Sequence, residues 1–218
     1  MILTTEDQAQ AWLTQLPEWN QLAGERLKLL EQMLRQENQQ QNLVAATSLD
    51  ALWLRHMADS AQLLAHVPRE TGSPWLDLGT GAGFPGLVIA ALRPEYRVVM
   101  VESRARRAEW LESARVALDL GRAEVFGGEL KQLATEKFCV ISARAFAPLP
   151  KLLDLSARFS TSDTRWLLPK GRSAAQELSA LCGWDHVFHV EQSLSDAQAG
   201  VIVGTLAGKT GGPRGQTS

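Results

Sequence analysis

The chain has 218 residues, of which 45% are hydrophobic and 21% are charged, a composition typical of a folded globular protein. Its net charge of −2 argues against binding to nucleic acid through overall charge but does not exclude a local basic face. No segment approaches the roughly 20 consecutive apolar residues of a membrane span, and the start MILTTEDQAQAW lacks the pattern of a secretion signal. We therefore predict a cytoplasmic protein without a membrane anchor.

The two cysteines, Cys139 and Cys182, are far apart in the sequence and have no histidine or cysteine neighbours at metal-binding spacing. Two cysteines are also too few for a disulfide framework. We predict that both are buried thiols in a reducing compartment and that the protein binds no metal.

The first third of the chain repeats apolar residues at the spacing of one helix face. Two such sets are Leu22, Leu27, Leu30, Met33 and Leu34, and then Leu49, Trp53, Leu54, Met57, Ala61 and Leu64. The sequence therefore predicts an N-terminal helical extension over residues 1–70.

From Pro74 onward, short apolar runs alternate with helical patterns. The runs of strand length are 75–78, 97–101, 123–126, 138–142 and 165–168. The clearest helix carries its apolar face between Arg107 and Leu118, with Gly121 as the predicted C-terminal cap. Alternating strands and helices predict an α/β fold with a mostly parallel sheet that is covered on both faces.

The last predicted strands depart from this alternation. Apolar runs at 186–190 and 200–206 are joined by a polar connection too short for a long helix, so we predict an antiparallel pair at one sheet edge. The predicted ligand-binding domain covers residues 71–207. Residues 208–218, GKTGGPRGQTS, have no apolar content to order them and are predicted to be flexible.

The stretch WLDLGTGAGFPG, residues 75–86, connects the first predicted strand to the next helix through a loop rich in glycine. Glycines let a ligand approach the backbone closely, and a helix start presents free N–H groups to that ligand. Pro85 fits the first turn of the helix. A tight turn alone needs fewer glycines, so the loop favours a nucleotide-type pocket over a purely structural turn.

The loop by itself leaves two cofactor classes open. Gly81, Gly83 and Gly86 match the G-x-G-x-x-G fingerprint of dinucleotide-binding proteins. Asp77 inside the strand, however, is similar to the acid in the first motif of class I S-adenosylmethionine methyltransferases. Both classes have an acid at the end of the second strand that binds ribose hydroxyls, and Glu102 has that position. The alternative role of Glu102 is to stabilise the start of the following helix.

Several motifs resemble those of one family in their order and spacing. They are RHMADSAQLL at 55–64, DLGTGAGFPG at 77–86, ES at 102–103, SARAFAPL at 142–149 and LPKG at 168–171. Over about residues 37–206 the chain resembles the RsmG/GidB family of bacterial 16S rRNA guanine-N7 methyltransferases. The resemblance implies a Rossmann-like class I methyltransferase sheet of seven strands preceded by helices, with S-adenosyl-L-methionine as cofactor. It also implies a target in the decoding-centre loop of 16S rRNA, guanine 527.

Resemblance to the class and the family implies which residues contact the cofactor. They are Asp77, Gly79, Gly81, Gly83, Phe84, Glu102 and Arg144. Members of the family usually have an acid after the third strand that meets the adenine. In the segment GGELKQL this position falls on Glu129 or Leu130, and we predict both.

Methyl transfer to a ring nitrogen needs little acid–base chemistry. Guanine N7 carries a lone pair and no proton, so the protein has only to hold donor and acceptor in line, and we assign no catalytic base. Methyltransferases that act on exocyclic amines commonly carry an Asn/Asp-Pro-Pro-aromatic motif after the fourth strand, where this chain has SARAFAP. The sequence therefore favours N7 over adenine N6.

Basic residues at predicted strand ends and on the preceding helix are candidates for RNA binding. They are Arg55, His56, Arg144, Lys170 and Arg172. The alternative for Arg144 is a salt bridge between its strand and a neighbouring helix. His56 and Asp59 lie three residues apart, so they form either a pair that closes the pocket or a structural hydrogen bond.

A further basic run consists of Arg104, Arg106 and Arg107. It is either an RNA contact or a solvated helix face paired with Glu109 and Glu112. The leading hypothesis for the whole chain is a monomeric methyltransferase of 16S rRNA, acting on a small ribosomal subunit or an assembly intermediate. The alternatives are a methyltransferase of another RNA or a small molecule, and a nucleotide-binding dehydrogenase or a module without activity.

Overall fold

The computed structural model describes residues 1–210, which form a seven-stranded sheet, a two-stranded ribbon and the helices that cover them. The α-helices are α1 (Glu6–Leu13), α2 (Gln21–Glu37), α3 (Ala46–Leu49), α4 (Asp59–Ala61), α5 (Gly86–Leu92), α6 (Ala105–Ala117), α7 (Leu149–Ser156) and α8 (Ala174–Ser179). The strands are β1 (Trp75–Leu78), β2 (Val98–Glu102), β3 (Ala123–Gly127), β4 (Val140–Ala143), β5 (Arg165–Gly171), β6 (Trp184–His186), β7 (His189–Gln192), β8 (Gly200–Gly204) and β9 (Leu206–Lys209). Within these residues, no helix combines the length and the apolar character needed to cross a bilayer.

The large sheet has the strand order β3-β2-β1-β4-β5-β8-β7. The first five strands in this order are parallel, whereas β8 is antiparallel to β5 and β7 is antiparallel to β8. This arrangement confirms the predicted Rossmann-like, mostly parallel sheet with an antiparallel edge. The chain moves outward from β1 to β3 and then returns to β4. The carboxyl ends of β1 and β4 therefore flank a switch in strand order, where sheets of this kind bind ligands.

Alternate residues of a strand point to opposite faces of the sheet, and helices cover both faces and bury them. Trp75 of β1 packs with α2, α5 and α6 on one face, and Leu76 and Leu78 pack with α7 on the other. The buried leucines of α2 belong to the same cluster as Trp75. The N-terminal helices therefore form part of the main core, and the domain boundary at residue 70 stays a prediction.

The helical segment before β1 is irregular in a way that periodicity did not predict. A π-helix (Trp53–Ala58) leads directly into α4, and a 3-10 helix (Gln62–His66) follows it. A π turn is wider than an α turn, so it changes the direction in which successive side chains point. This segment carries the RHMADS motif, whose polar residues reach the carboxyl edge of the sheet.

The antiparallel edge confirms the predicted pairing but not the predicted strand lengths. The expected strand at 186–190 is two strands, because the chain bends at Val187 and Phe188. Phe188 packs edge-on against Trp166, with 6.4 Å between ring centroids, and a Cβ on Gly204 would lie 2.8 Å from the Phe188 Cα. This close packing ends β8 at Gly204. As a result, β7 pairs with β8 in the large sheet, while β6 pairs with β9 in the ribbon.

The structure also corrects the predicted start of a flexible tail at residue 208. Gly208 and Lys209 belong to β9, where the backbone of β6 orders them. The Lys209 ammonium lies 2.7 Å from an oxygen of Asp154 and 5.2 Å from the ring centroid of Trp184. These contacts supply the order that composition did not show. The rest of the predicted tail, 211–218, lies outside the described residues.

The prediction of two buried thiols is wrong for Cys182. This residue is exposed in the turn that joins α8 to β6, at the surface of the sheet edge, whereas Cys139 is half-buried beside β4. A short apolar segment before a glycine does not distinguish a surface turn from a buried strand end.

The predicted cap of α6 lies two residues too late in the sequence. Asp119, not Gly121, has the left-handed conformation, with a φ of 51°. The N–H of Asp119 donates to the Val116 carbonyl and the N–H of Leu120 to the Arg115 carbonyl, which is the Schellman pattern. An aspartate can adopt this conformation at a cost that glycine avoids, so the sequence signal pointed to the wrong residue.

Candidate active site

The glycine-rich loop connects β1 to α5 over the carboxyl end of β1. Gly79, Gly81 and Gly83 have φ values of 63°, 61° and 105°, a region that residues with a Cβ disfavour. A hydrogen bond from the Thr80 N–H to the Val101 carbonyl attaches the loop to β2. The backbone conformation by itself therefore favours glycine at these three positions.

Two glycines near the start of α5 are needed for packing. A Cβ on Gly83 would overlap the side chain of Leu87, and a Cβ on Gly86 would lie 2.5 Å from Met100 of β2. Side-chain carbons do not approach one another this closely. Both glycines therefore allow α5 to pack against the loop and the sheet, whatever the loop binds.

The other two glycines differ in what lies beside them. A Cβ on Gly79 would lie 2.5 Å from the ring of Phe146, so that ring rests directly on the loop backbone. The nearest side chain to the same position on Gly81 is Arg107, whose Nη1 is 3.7 Å away. Among these four glycines, Gly81 is the one at which the backbone is open to a ligand.

Asp77 lies behind the loop and is completely buried in β1. Its Oδ2 accepts a hydrogen bond of 3.0 Å from the Gly86 N–H, and its Oδ1 accepts one of 2.7 Å from the Ser142 hydroxyl. Burial raises the pKa of the Asp77 carboxyl above its ordinary value, and these hydrogen bonds oppose that rise. The Asp77 side chain, predicted as a cofactor contact, therefore connects β1, β4 and α5 through its hydrogen bonds.

Glu102 ends β2 and reaches both the loop and the next helix. Its Oε2 accepts a hydrogen bond of 3.1 Å from the Gly81 N–H, and its Oε1 accepts one of 2.9 Å from the Arg104 N–H at the start of α6. The side chain is buried. Glu102 therefore does stabilise the start of the following helix, as considered from the sequence. The same side chain also binds Gly81, the open glycine of the loop.

The two residues predicted to meet an adenine follow β3. Glu129 is exposed and pairs with Lys131, with 2.6 Å between Oε2 and Nζ. Leu130 is buried, and its carbonyl accepts a hydrogen bond of 2.7 Å from Arg158. The Gly128 N–H donates to the Glu102 carbonyl at 3.0 Å, which brings this turn beside the end of β2.

Arg144 joins the two most distinctive sequence motifs. It follows β4, and its Nη1 lies 3.3 Å from both Asp59 Oδ2 and the Arg55 carbonyl. Its Nη2 lies 3.2 Å from Nδ1 of His56, and the guanidinium lies 5.3 Å from the ring centroid of Phe84. RHMADS, SARAFAP and the glycine loop therefore meet at one guanidinium, and the salt bridge proposed as an alternative for Arg144 is formed.

His56 is buried beside Arg144 and stacks on Phe84, with ring centroids 4.8 Å apart and planes inclined by 20°. Burial lowers the pKa of His56 to about 3, and the positive charges of Arg144 and Arg55 contribute. Because Arg144 can only donate, Nδ1 must accept, and Nε2 then donates to the Ser48 hydroxyl at 3.0 Å. His56 is a neutral structural ring, and its bonds go to Arg144 and Ser48 and not to Asp59.

A cavity of about 720 Å³ opens beside this network at the carboxyl ends of β4 and β5. Its walls come from the π-helix, the loop after β4, the end of β5 and the connection from β7 to β8. The polar side chains on it include Asp59, Arg144, Glu177, Ser195 and Asp196. Its volume is within the range of small-molecule sites, so it has room for a nucleoside.

Lys170, predicted as an RNA contact, lies in the wall of this cavity. Its side chain is only 7% exposed, and its ammonium donates to the Ala147 carbonyl at 2.6 Å and pairs with Glu177 at 3.0 Å. Both partners line the same cavity, so these contacts hold Lys170 in its wall, and an RNA contact at Lys170 stays a prediction. Arg172 is exposed, and Arg55 is 47% exposed beside Asp196.

The side chains that hold Asp59 could not be identified from the sequence. The Ser195 hydroxyl and the Gln62 amide both donate to Asp59 Oδ1. Ser195 lies 136 residues from Asp59 in the chain, in the turn between β7 and β8. A serine in a polar turn carries no local signal of such a bond. Phe146, which covers Gly79, was likewise visible only as an apolar residue of SARAFAP.

The comparison with known proteins identifies the family. The profile of GidB, described as rRNA small subunit methyltransferase G, matches residues 23–193. The chain belongs to the GidB family. The match contains the glycine loop, Glu102, the Arg144 network and most of the cavity wall. The resemblance seen in the sequence motifs is therefore confirmed, and this GidB protein is a methyltransferase of the rRNA class.

Curated relatives agree over nearly the whole chain. The Ribosomal RNA small subunit methyltransferase G of Novosphingobium aromaticivorans is 54% identical over 217 residues, covering 98% of this chain and 94% of the relative. The protein of the same name from Erythrobacter litoralis is 54% identical over 211 residues, covering 96% of this chain and all of the relative.

Solved structures with the same fold are more distant. An O-methyltransferase from Bacillus cereus in complex with SAH has a TM-score of 0.56 at 17% identity, covering 90% of this chain and 96% of that chain. A fibrillarin from Aeropyrum pernix with natively bound S-adenosyl-L-methionine has a TM-score of 0.53 at 16% identity, covering 70% and 75%. At these identities the similarity shows the class I methyltransferase fold of the GidB protein.

Proposed function

We propose that this GidB protein transfers a methyl group from S-adenosyl-L-methionine to N7 of guanine 527 in the decoding-centre loop of 16S rRNA. The observation that carries the proposal is the adjacency of two sites. The open backbone at Gly81, with Glu102 bound to it, lies next to a cavity large enough for a nucleoside. Arg144 and Phe84 are in contact at the boundary between the two, where a methyl group must pass from donor to acceptor.

The donor site is assigned to the glycine loop and the ends of β2 and β3. S-adenosyl-L-methionine supplies the electrophilic methyl group when it is bound there. Each Glu102 oxygen accepts one backbone N–H, which leaves lone pairs for ribose hydroxyls. Asp77 and Gly79 hold the loop in place, and the turn containing Glu129 and Leu130 closes the adenine side. The bound cofactors named for the structural neighbours support this assignment.

The side chains around the cavity support an acceptor that carries no proton. His56 has a pKa of about 3, so it is a very weak base. Asp59 accepts hydrogen bonds from Arg144, Gln62 and Ser195, so its oxygens are already bound within the protein. Guanine N7 needs neither group as a base, whereas an exocyclic amine must lose a proton during transfer.

The RNA face is assigned to the rim of the cavity. Arg55 and Arg172 are exposed cations that can bind phosphates next to a nucleotide inserted into the cavity. Arg144 lines the cavity itself, and His56 keeps its guanidinium in place. We propose that the protein acts in the cytoplasm as a monomer, on the small subunit or an assembly intermediate.

Labelled methyl transfer tests the proposal. Purified protein and methyl-labelled S-adenosyl-L-methionine are incubated with 16S rRNA, with assembled small subunits and with large-subunit rRNA as the control. The labelled RNA is digested to nucleosides and mapped. We expect 7-methylguanosine at one position of the decoding-centre loop. Label in another nucleoside, or none in small-subunit RNA, would overturn the proposal.

A further inference from the structure

Three arginines stand together at the start of α6. Arg104 and Arg106 are exposed and Arg107 is half-buried; we call these residues the arginine surface. Within residues 1–210 none of the three guanidinium groups lies within 4.0 Å of a carboxylate oxygen. The pairing with acids of α6 that the sequence suggested is not formed, because Glu112 pairs with Arg115 at the other end of the helix.

This placement is electrostatically unfavourable for the isolated protein. The first turn of α6 contains no acidic residue of its own, and the Glu102 carboxylate, which accepts the Arg104 N–H at this positive helix start, also holds the glycine loop. Three like charges within four residues also repel one another. Guanidinium groups left unpaired in this way, beside a binding site, favour a partner that supplies negative charge.

The arginine surface lies at the carboxyl ends of the strands, as the active site does. α6 begins directly after β2, whose last residue, Glu102, holds the glycine loop. Arg107 approaches Gly81 from this side. The surface thus continues outward from the donor site, on the side away from the cavity.

Amide side chains extend the same surface toward α2. A polar cleft of about 380 Å³ separates α2 from α6, and Arg106, Gln36, Gln40 and Gln41 line it together with the carboxylates Glu37 and Glu109. The Gln41 amide donates to Glu37 at 2.7 Å and to the Arg106 carbonyl at 3.3 Å, which links the end of α2 to α6. The amides and Arg106 offer donors that suit sugar and phosphate oxygens, and the two glutamates oppose the entry of a phosphate deep into the cleft.

We propose that the RNA strand flanking the target nucleotide crosses the arginine surface, with Arg104 and Arg106 binding consecutive phosphates. The proposal rests on the proposed function, since it assumes an RNA substrate. RNA supplies a continuous line of negative charge, which a cofactor of fixed size does not. Arg107 is left out of the assignment because its position beside Gly81 also suits the cofactor.

The test compares two double variants that remove equal charge. Arg104→Ala/Arg106→Ala removes the two exposed arginines. Arg115→Ala/Arg122→Ala, the control, removes one arginine near the C-terminal end of α6 and one just before β3, at the opposite edge of the sheet. Affinity for a 16S rRNA transcript is measured over a range of salt concentrations, with S-adenosyl-L-methionine affinity and melting temperature measured alongside.

We expect the first variant to bind the transcript at least about tenfold more weakly at low salt, with cofactor affinity unchanged. The slope of log affinity against log salt concentration should be smaller in magnitude by about 1 to 2, because RNA binding releases fewer counterions when phosphate contacts are lost. The control should match the wild type. Equal RNA affinity for the two double variants, or a loss of cofactor affinity alone, would overturn this inference. If wild-type protein neither binds nor methylates the transcript, the proposed function fails instead.

Discussion

Arg144 is the residue at which the functional hypotheses from the sequence converge. It was considered as a cofactor contact, an RNA contact or a structural salt bridge, and its ion pair with Asp59 is formed. The same guanidinium lines the cavity and is 24% exposed, so the pair does not remove it from the site. The bonds to His56 and Asp59 fix its direction, which allows it to orient a base without rearrangement.

Glu102→Ala should weaken S-adenosyl-L-methionine binding by about 1–3 kcal/mol, because hydrogen bonds to a carboxylate are lost at the donor site. Isothermal titration calorimetry measures the change. Glu109→Ala removes an exposed acid from α6 and is the matched control, which we expect to bind like the wild type. A folded Glu102→Ala protein with unchanged affinity would remove Glu102 from the cofactor site.

The lowered pKa of His56 predicts a specific loss of stability in acid. The ring has a pKa of about 3 in the folded protein and about 6.5 when exposed, so the unfolded chain binds the proton first as pH falls. The contribution of neutral His56 to stability is therefore complete above pH 6.5 and declines between about pH 6.5 and pH 3. Asp77, whose pKa is raised, contributes in the opposite direction.

His56→Gln isolates this effect, because glutamine can still accept from Arg144 and donate to Ser48 but does not titrate. Between pH 6.5 and pH 5, the free energy of unfolding of the wild type should fall by about 1.5 kcal/mol more than that of the variant. Urea denaturation at each pH measures the difference. Parallel pH profiles for the two proteins would show that His56 is not held neutral.

At the scale of the elements, the site depends on how helices begin and end. The π-helix and the start of α4 place Arg55, His56 and Asp59 at the cavity, and α6 begins beside the glycine loop. The other end of α6 is fixed by Asp119 and by Arg26 of α2, which donates to the carbonyls of Leu118 and Asp119. The N-terminal helices therefore help to set the position of a helix that flanks the donor site.

Asp119→Gly should raise the free energy of unfolding by about 1 kcal/mol, because glycine adopts the left-handed conformation without the cost of a Cβ, and the carboxylate that is lost, 97% exposed and 3.6 Å from Arg26, contributes little. Gly121→Ala is the comparison: a Cβ there meets nothing within 4 Å, so stability should change by less than about 0.5 kcal/mol. Denaturant unfolding measures both. A destabilising Gly121→Ala with a neutral Asp119→Gly would mean that the helix ends as the sequence alone suggested.

At the scale of the whole molecule, the main features that the structure confirms come from local sequence patterns. The alternation of strands and helices, the antiparallel edge and the glycine loop all follow from periodicity and residue type. The position of Glu102 follows too, because parallel strands end at one edge. These features depend on residues that are close in the sequence.

The remainder depends on contacts between distant segments. The sequence predicted Lys170 as an RNA contact and carried no signal of its bond to the Ala147 carbonyl, 23 residues away. It predicted a continuous strand at 186–190, but packing of Phe188 against Trp166 divides that strand. The hydrogen bond between Asp59 and Ser195 joins residues that are 136 positions apart in the sequence. No window of sequence contains both partners of such a contact.

The central claim is that the methyl group goes to N7 of a guanine in small-subunit rRNA. The most direct measurement compares methylation of a 16S rRNA transcript with that of the same transcript made with 7-deazaguanine, which has a carbon in place of N7 and no lone pair there. Binding of both transcripts is measured in parallel, so that loss of methylation is not loss of binding. We predict methylation of the natural transcript and none of the 7-deazaguanine transcript at equal occupancy. Equal methylation of the two would contradict the N7 assignment.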